Sequence, residues 1–223
     1  MNPVMPEVPQ PAVRIGAVVL AAGAASRMGG RPKCLLELDG VSLLRRQWQA
    51  LSGAGVQDVV VVLGHYAQRI RQSAPELPVH WLTNPDPDAG QESSLRWGLQ
   101  ALAPEVDAVL VLLADQPLIG AQDLQDLIVA YGQRPAPTQL LRPVVEGLPG
   151  NPVMFSRAVA QDILAGPPTM GGRQWQQQNP QQVHRWHSAN RHYRTDVDSP
   201  EDLQALAQQT GQVLRWPEDL QRY

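Results

Sequence analysis

Residues 18–33 read VVLAAGAASRMGGRPK, and this stretch decides how the rest of the 223-residue chain is read. The aliphatic, β-branched run 15–20 that leads into it predicts a buried strand. The strand breaks into Ala21, Ala22, Gly23, Ala24, Ala25 and Ser26. Side chains this small let a ligand reach the backbone, and glycine accepts φ > 0 where a turn needs it. Amide N–H groups freed in such a turn can point at an anion. Arg27 and Lys33 follow, with Gly29, Gly30 and Pro32 between them. Guanidinium forks onto phosphate oxygens, and ammonium supplies a point charge. A strand, a small-residue loop and two spaced cations predict a phosphate-binding loop. A tight strand-to-helix connection with two surface cations is the plain alternative.

Outward from this loop, strands and helices alternate. Residues 43–51 (LLRRQWQAL) carry apolar side chains at helical spacing, and 58–63 (DVVVVL) predict a strand covered on both faces. A short helix reaching Ile70, a strand over 79–82, a loop over 84–88 and a helix over 93–102 come next. A buried strand over 108–113 (AVLVLL) and a helix over 122–131 complete the pattern. Such alternation predicts a single α/β domain over 13–210, a three-layer sandwich around a mostly parallel, Rossmann-like sheet. A Pro-rich tail is expected over 1–12 and an extension over 211–223, and PEDLQ at Pro200 and Pro217 marks two helix starts.

Composition narrows the chemistry. A net charge of −3 argues against broad nucleic-acid binding, and the cations at Arg27, Arg31 and Lys33 suit a small anionic ligand. The single cysteine, Cys34, excludes an intrachain disulfide and any multi-cysteine metal site; packing is its expected role. With 43% apolar residues, no membrane-length apolar run and no signal pattern, a soluble cytoplasmic protein without a membrane partner is expected. His184, His187 and His192 lack a carboxylate or cysteine at ligand spacing and are read as partly buried or surface imidazoles around a strand.

Two acidic stretches complete the site. Asp115, in Leu113-Ala114-Asp115-Gln116-Pro117, follows a buried strand at the end where open α/β sheets bind ligands. Its carboxylate is a hard oxygen ligand of the kind magnesium uses beside nucleotide phosphates; a turn-forming Asp is the alternative. Asp196 and Asp198 are two apart, so a strand would send both side chains to one face. Ser199, Pro200 and Asp202 together make a helix start. In that reading Asp196 serves the metal and Asp198 tethers the helix, with both kept as metal candidates.

The loop is neither a Walker A loop, which needs Gly-Lys-Ser/Thr, nor a dinucleotide fingerprint, since Ala25 stands where the second glycine belongs. It resembles the L-A-A-G-x-x-x-R-M-G-x-P-K signature of the MobA-like nucleotidyltransferases. Leu20, Ala21, Ala22, Gly23, Arg27, Met28, Gly29, Pro32 and Lys33 match, with one extra residue before Pro-Lys. The resemblance extends through Asp115, a D-x-P aspartate, and through the 196–203 stretch, similar to D-I-D-T-P-E-D-L. It implies a nucleotide-diphospho-sugar transferase type of fold and magnesium held by Asp115 with Asp196 or Asp198. It further implies nucleotide binding by residues 20–23, Arg27, Lys33, Ser93 and Ser94, with Arg27, Lys33 and Asp115 catalytic. Gly150, Asn151 and Arg173 correspond to the acceptor side, where Gln91, Asn151 and Thr169 stand in place of the commoner Met, His and acidic residue.

The A-A-G form is closer to the CTP:molybdopterin cytidylyltransferases than to guanylyltransferases with A-G-G. The implied reaction moves CMP from CTP to a phosphorylated acceptor, molybdopterin, and releases pyrophosphate. A molybdenum enzyme or its maturation factor is the implied protein partner. Three alternatives stay open: a same-fold transferase acting on a sugar phosphate or another small phosphate, a non-catalytic cofactor-delivery protein, and a relative repurposed for nicotinamide-dependent reduction.

Overall fold

The computed structural model describes residues 13–221, so the tail expected over 1–12 lies outside the described residues. In chain order the strands are β1 (Ile15–Ala21), β2 (Glu37–Leu38), β3 (Val41–Ser42), β4 (Asp58–Leu63), β5 (His80–Thr83) and β6 (Ala108–Leu113). They continue with β7 (Leu140–Val145), β8 (Leu148–Pro149), β9 (Val153–Ser156), β10 (Val183–His187) and β11 (Leu214–Arg215). The helices are α1 (Leu43–Gly53), α2 (Ala67–Ser73), α3 (Gln91–Ala101), α4 (Ala121–Gly132), α5 (Arg157–Ala165), α6 (Gly172–Gln178) and α7 (Pro200–Thr210).

β1 runs through the main sheet, whose order is β10-β7-β9-β6-β1-β4-β5 with β8 paired to β7. Successive side chains of a strand point to opposite faces. Ala17 and Val19 therefore enter one apolar core, with α1, α2 and α4, while Val18 enters the other, with α3, α5 and α6. Burial on both sides explains why β1, β4 and β6 are almost wholly apolar. α3 sits close on β1 because Gly98 faces it: a Cβ there would lie 2.4 Å from Val18 Cγ1. The sheet is mostly parallel, as the alternation predicts, and β8 and β9 are reversed. This is the expected three-layer α/β/α arrangement.

A satellite core lies beside the crevice. Strands β11, β2 and β3 form a small antiparallel sheet, and Met28, Leu36, Leu38, Leu43, Val197, Leu206 and Leu214 cluster against it. Of the extension expected over 211–223, the described residues 211–221 supply β11 to that sheet. No helix among the described residues is long and apolar enough to cross a membrane.

Several local expectations shift. α3 begins at Gln91, so Ser93 and Ser94 lie inside its first turn. Residues 196–198 are extended without forming a strand, and His192 and Tyr193 occupy a 3₁₀ turn, Arg191–Arg194. α6 takes in the Gln-rich residues 174–178. Of the two PEDLQ segments only the first starts an α-helix. There Ser199 accepts from Asp202 N and the Asp202 carboxylate returns the bond, a capping box. The second begins without a side-chain cap and forms a single 3₁₀ turn, Glu218–Leu220.

Candidate functional site

The loop after β1 is pinned at two places and open between them. Ala25, Gly29 and Gly30 take positive φ (50°, 65° and 70°), and the amides of Met28 and Gly30 both donate to Ala25 O, at 2.9 and 3.1 Å. Met28 is 1% exposed in the satellite core, a burial that contributes about 1.5–3 kcal/mol. Tyr66 donates its hydroxyl to Ala24 O at 2.9 Å. Gly23 and Ala24 remain exposed, and a Cβ on Gly23 would meet no protein atom within 4 Å. Arg31 turns away from the opening: its guanidinium stacks on Trp216, 4.5 Å from the ring centroid, and joins the loop to the C-terminal segment.

Four charges from three segments meet below this loop. Lys33 Nζ donates to Asp115 Oδ2 and to Asp198 Oδ1, each at 2.5 Å, and Arg27 Nη2 donates to Asp198 Oδ2 at 2.9 Å. Two backbone features bring the segments together. Asp115 follows β6, whose neighbour β1 leads into the cation loop, and Ala114 N donates to Leu20 O at 3.1 Å. Val197, fully buried, donates its amide to Asp115 O at 3.0 Å, which holds residues 196–198 at the mouth. The helix tether is Asp202, whose carboxylate accepts from the amides of Asp198 and Ser199, so Asp198 is free to face the cations.

Electrostatics follow from this packing. Burial disfavours the Lys33 charge, but Asp115 and then Asp198 outweigh it and raise its pKa above the ordinary lysine value. Burial works likewise against the Asp198 carboxylate, yet Lys33 and Arg27 hold its pKa below the usual range. Asp196 makes no such pair: partial burial, then the Asp115 and Asp198 charges, push its carboxyl up. Cys34 is buried, and burial followed by the Asp115 charge pushes its thiol up to about 12. It is a packed neutral thiol, as the sequence suggests.

The donor set fits a divalent cation. Asp115 Oδ1 is buried with no hydrogen-bond partner among the described residues, whereas its companion oxygen accepts from Lys33. Asp115 and Asp198 converge on one ammonium, the place a hard cation would take between two carboxylates. Among the described residues no group of three or more His, Cys, Asp or Glu side chains forms a metal cage. Two carboxylates with ligand phosphates and water are a donor set magnesium accepts.

The cluster opens into a cavity of about 220 Å³ lined by residues 20–23, Lys33, Ser94 and Asp115 among others. Ser93, Arg27, Asp196 and Asp198 are not in that lining, and the Arg27 side chain is 68% exposed. The Ser93 and Ser94 hydroxyls both accept from Asn84 Nδ2, at 3.1 and 3.0 Å, which joins α3 to the loop after β5. A second cavity of about 310 Å³ shares Leu20, Gln91 and Leu113 with the first and is lined by Asn151, Arg173 and Arg142. Gly150 is buried under Tyr193 and does not reach either cavity. Buried Gln116 connects the two sides, with Nε2 on the carbonyls of Asn151 and Tyr193. The sequence reading did not single out Tyr66, Asn84, Gln116 or Arg142. Arg142 had a signal, as the one charge within the apolar run of β7.

Residues 17–184 match the family model described as the MobA-like NTP transferase domain. The chain belongs to this family. Among curated relatives, the bifunctional protein GlmU of Syntrophomonas wolfei is 32% identical over 130 residues, 58% of this chain and 28% of that protein. The nicotine blue oxidoreductase of Paenarthrobacter nicotinovorans is 35% identical over 114 residues, 51% of this chain and 55% of that protein. The chain thus spans about a quarter to a half of the length of these relatives. The fold is shared with the crystal structure of Rv0371c from Mycobacterium tuberculosis, at TM-score 0.73 and 23% identity over 88% of this chain and 99% of that one. That protein has also been solved in complex with manganese.

Proposed function

We propose that this chain is a nucleotidyltransferase that moves a nucleoside monophosphate from a triphosphate, CTP foremost, to a phosphorylated acceptor of the molybdopterin class, releasing pyrophosphate. The observation that carries the reading is the Asp115–Lys33–Asp198 contact, whose Lys33 and Asp115 line the small-residue cleft. Family membership supports the reaction class, and the A-A-G loop supports the cytidine nucleotide.

In this reading the acceptor's phosphate oxygen attacks the α-phosphate in line, so the protein positions groups and neutralises charge. Cys34 fits the absence of a protein nucleophile, since its neutral thiol is a poor one. The backbone of residues 20–23 takes the nucleotide, with Ser94 on the opposite wall. Lys33, already among the carboxylates, transfers its charge to the triphosphate, and Arg27 covers the outer phosphates. A divalent cation on Asp115 and Asp198, magnesium in the cell, would screen phosphate charge when bound; the manganese complex of Rv0371c supports a metal of this class. Delivery of product to a molybdenum enzyme or maturation factor is the partner reading.

The relation to nicotine blue oxidoreductase favours one second reading, a reductase using a nicotinamide cofactor. One experiment separates the two. Pyrophosphate release is measured with each of the four nucleoside triphosphates, with and without molybdopterin, beside nicotinamide oxidation. Release that needs both CTP and molybdopterin is expected. No release with any triphosphate sinks the transferase reading.

A further inference from the structure

Arg142 has no place in the chemistry described so far. It sits in β7, flanked by buried Leu141 and Pro143, and its side chain lines the second cavity with Arg173. Among the described residues its hydrogen bonds are two long ones, Nε to Gly150 O and Nη1 to Gln176 Oε1, each at 3.3 Å. Neither Arg142 nor Arg173 makes an ion pair among the described residues. Arg185, opposite Arg142 in the parallel register of β10 and β7, adds a third positive charge. Burial, then the Arg173 and Arg185 charges, lowers the Arg142 pKa. Arg142 is half-buried beside the exposed Arg173 and Arg185, and an oxyanion offsets the cost of holding its charge there by accepting the forked donors of Arg142 and Arg173. Glu92 is the acidic group that lines the same cavity.

Register gives the distance to the reacting centre. Met154 of β9 pairs with Leu141 on one side and Leu110 on the other, so Arg142 shares a row with Val153 and Val111. Asp115 is two strands across and four residues further on, which separates the two backbones by roughly 16 Å at strand spacings of roughly 4.8 Å and rises of roughly 3.3 Å. Strand side chains stand roughly perpendicular to the sheet, and the bonds to Gly150 and Gln176 hold the guanidinium on its own side of that gap.

We propose that Arg142, with Arg173, binds a second anionic group of the acceptor, one that inorganic phosphate can stand in for, away from the attacking phosphate. The acceptor therefore carries negative charge besides that phosphate, and Arg142 selects it against acceptors that lack a second anionic group. This inference rests on the nucleotidyltransferase reading.

The test uses the full chain and inorganic phosphate at constant ionic strength. The Arg142 Nε–Hε signal, identified by its loss in R142Q, is followed by nitrogen-15 NMR, and magnesium–CTP binding is measured separately on the same proteins. A saturable shift at Arg142 is expected, at least tenfold weaker in R173Q and unchanged in R71Q, a surface control on α2. R142K, which keeps the charge without the fork, should bind phosphate several-fold more weakly, followed at the Arg173 Nε–Hε signal that R173Q lacks, while binding CTP as the wild type does. No saturable shift at Arg142, or one that R173Q leaves unweakened, overturns the proposal while CTP binding leaves the transferase reading standing. A shift in a chain that binds no nucleotide overturns that reading and the assignment to an acceptor with it.

Discussion

The two cavities of one crevice handle charge in opposite ways. At the ends of β1 and β6, Lys33 and Arg27 are both answered by carboxylates within 2.9 Å. At β7 and α6, Arg142 and Arg173 line a cavity that Glu92 also borders, and neither makes an ion pair among the described residues. A neutralised cluster can be held in shape before any ligand arrives, because opposite charges stabilise each other's ionised forms. An unanswered pair keeps its donors for the ligand. In the proposed transferase reading, the first side would serve chemistry common to many triphosphates, and the second would choose what is joined to them.

Breaking the neutralised side should have the largest effect. Asp115→Asn keeps the shape but removes the one carboxylate that has both a Lys33 contact and a buried free oxygen. Pyrophosphate release should fall by roughly 10²–10³-fold, the scale of losing one electrostatic contact to a transition state, with an unchanged circular-dichroism spectrum. Near-normal release would remove Asp115 from the mechanism. Lys33→Ala comes next, with a loss of about 10²-fold in turnover and a much smaller change in melting temperature. The reverse pattern, a large melting shift with turnover intact, would make Lys33 a structural counter-ion only.

The difference in legibility between the two sides has a physical cause. Residues 20–33 announced themselves because a cleft floor restricts residue type: small side chains, positive-φ glycines and fixed cations within one continuous segment. Asp115 was readable because a buried strand ends there. The carboxylate partnered with Lys33 was not. Period-two spacing puts Asp196 and Asp198 on one face of a strand, but these residues are extended and anchored by Val197, and only Asp198 meets the cations. Ser93 and Ser94 look like helix caps until α3 starts two residues earlier and Asn84 takes both hydroxyls. Gln116 and Tyr66 act through contacts between residues distant in sequence, which no local pattern encodes.

The acidic pair sharpens the comparison at smaller scale. Asp198→Asn should lower turnover roughly 10–100-fold, as expected when a group orienting a metal or its ligands is lost. Asp196→Asn should lower it far less. It should also raise the melting temperature slightly in magnesium-free buffer, because it removes a carboxylate whose charge is disfavoured by burial and by Asp115. An inactive Asp196→Asn beside an active Asp198→Asn would reverse the assignment and return the metal to Asp196, as the sequence alone suggests.

The smallest effect is on the pH dependence of stability. The Asp198 pKa is depressed on folding, so its contribution is fully present above the ordinary 3.8 and is lost as pH falls through the lower folded value. The Lys33 pKa is raised, so its contribution is fully present below 10.5 and is lost as pH rises through the higher folded value. Between those limits neither group changes protonation on unfolding. The stability difference between wild type and Lys33→Met, measured by urea unfolding without magnesium, should therefore be flat across neutral pH and shrink only in strong acid or strong base. A slope between pH 6 and 8 would mean that a histidine or another group titrating there is coupled to the cluster. With no such slope, any pH dependence of turnover in that range comes from the substrates' own phosphates, whose second ionisation falls near pH 6 in a phosphate monoester. The acceptor side, with its uncompensated arginines, would then be where protonation of the acceptor is felt.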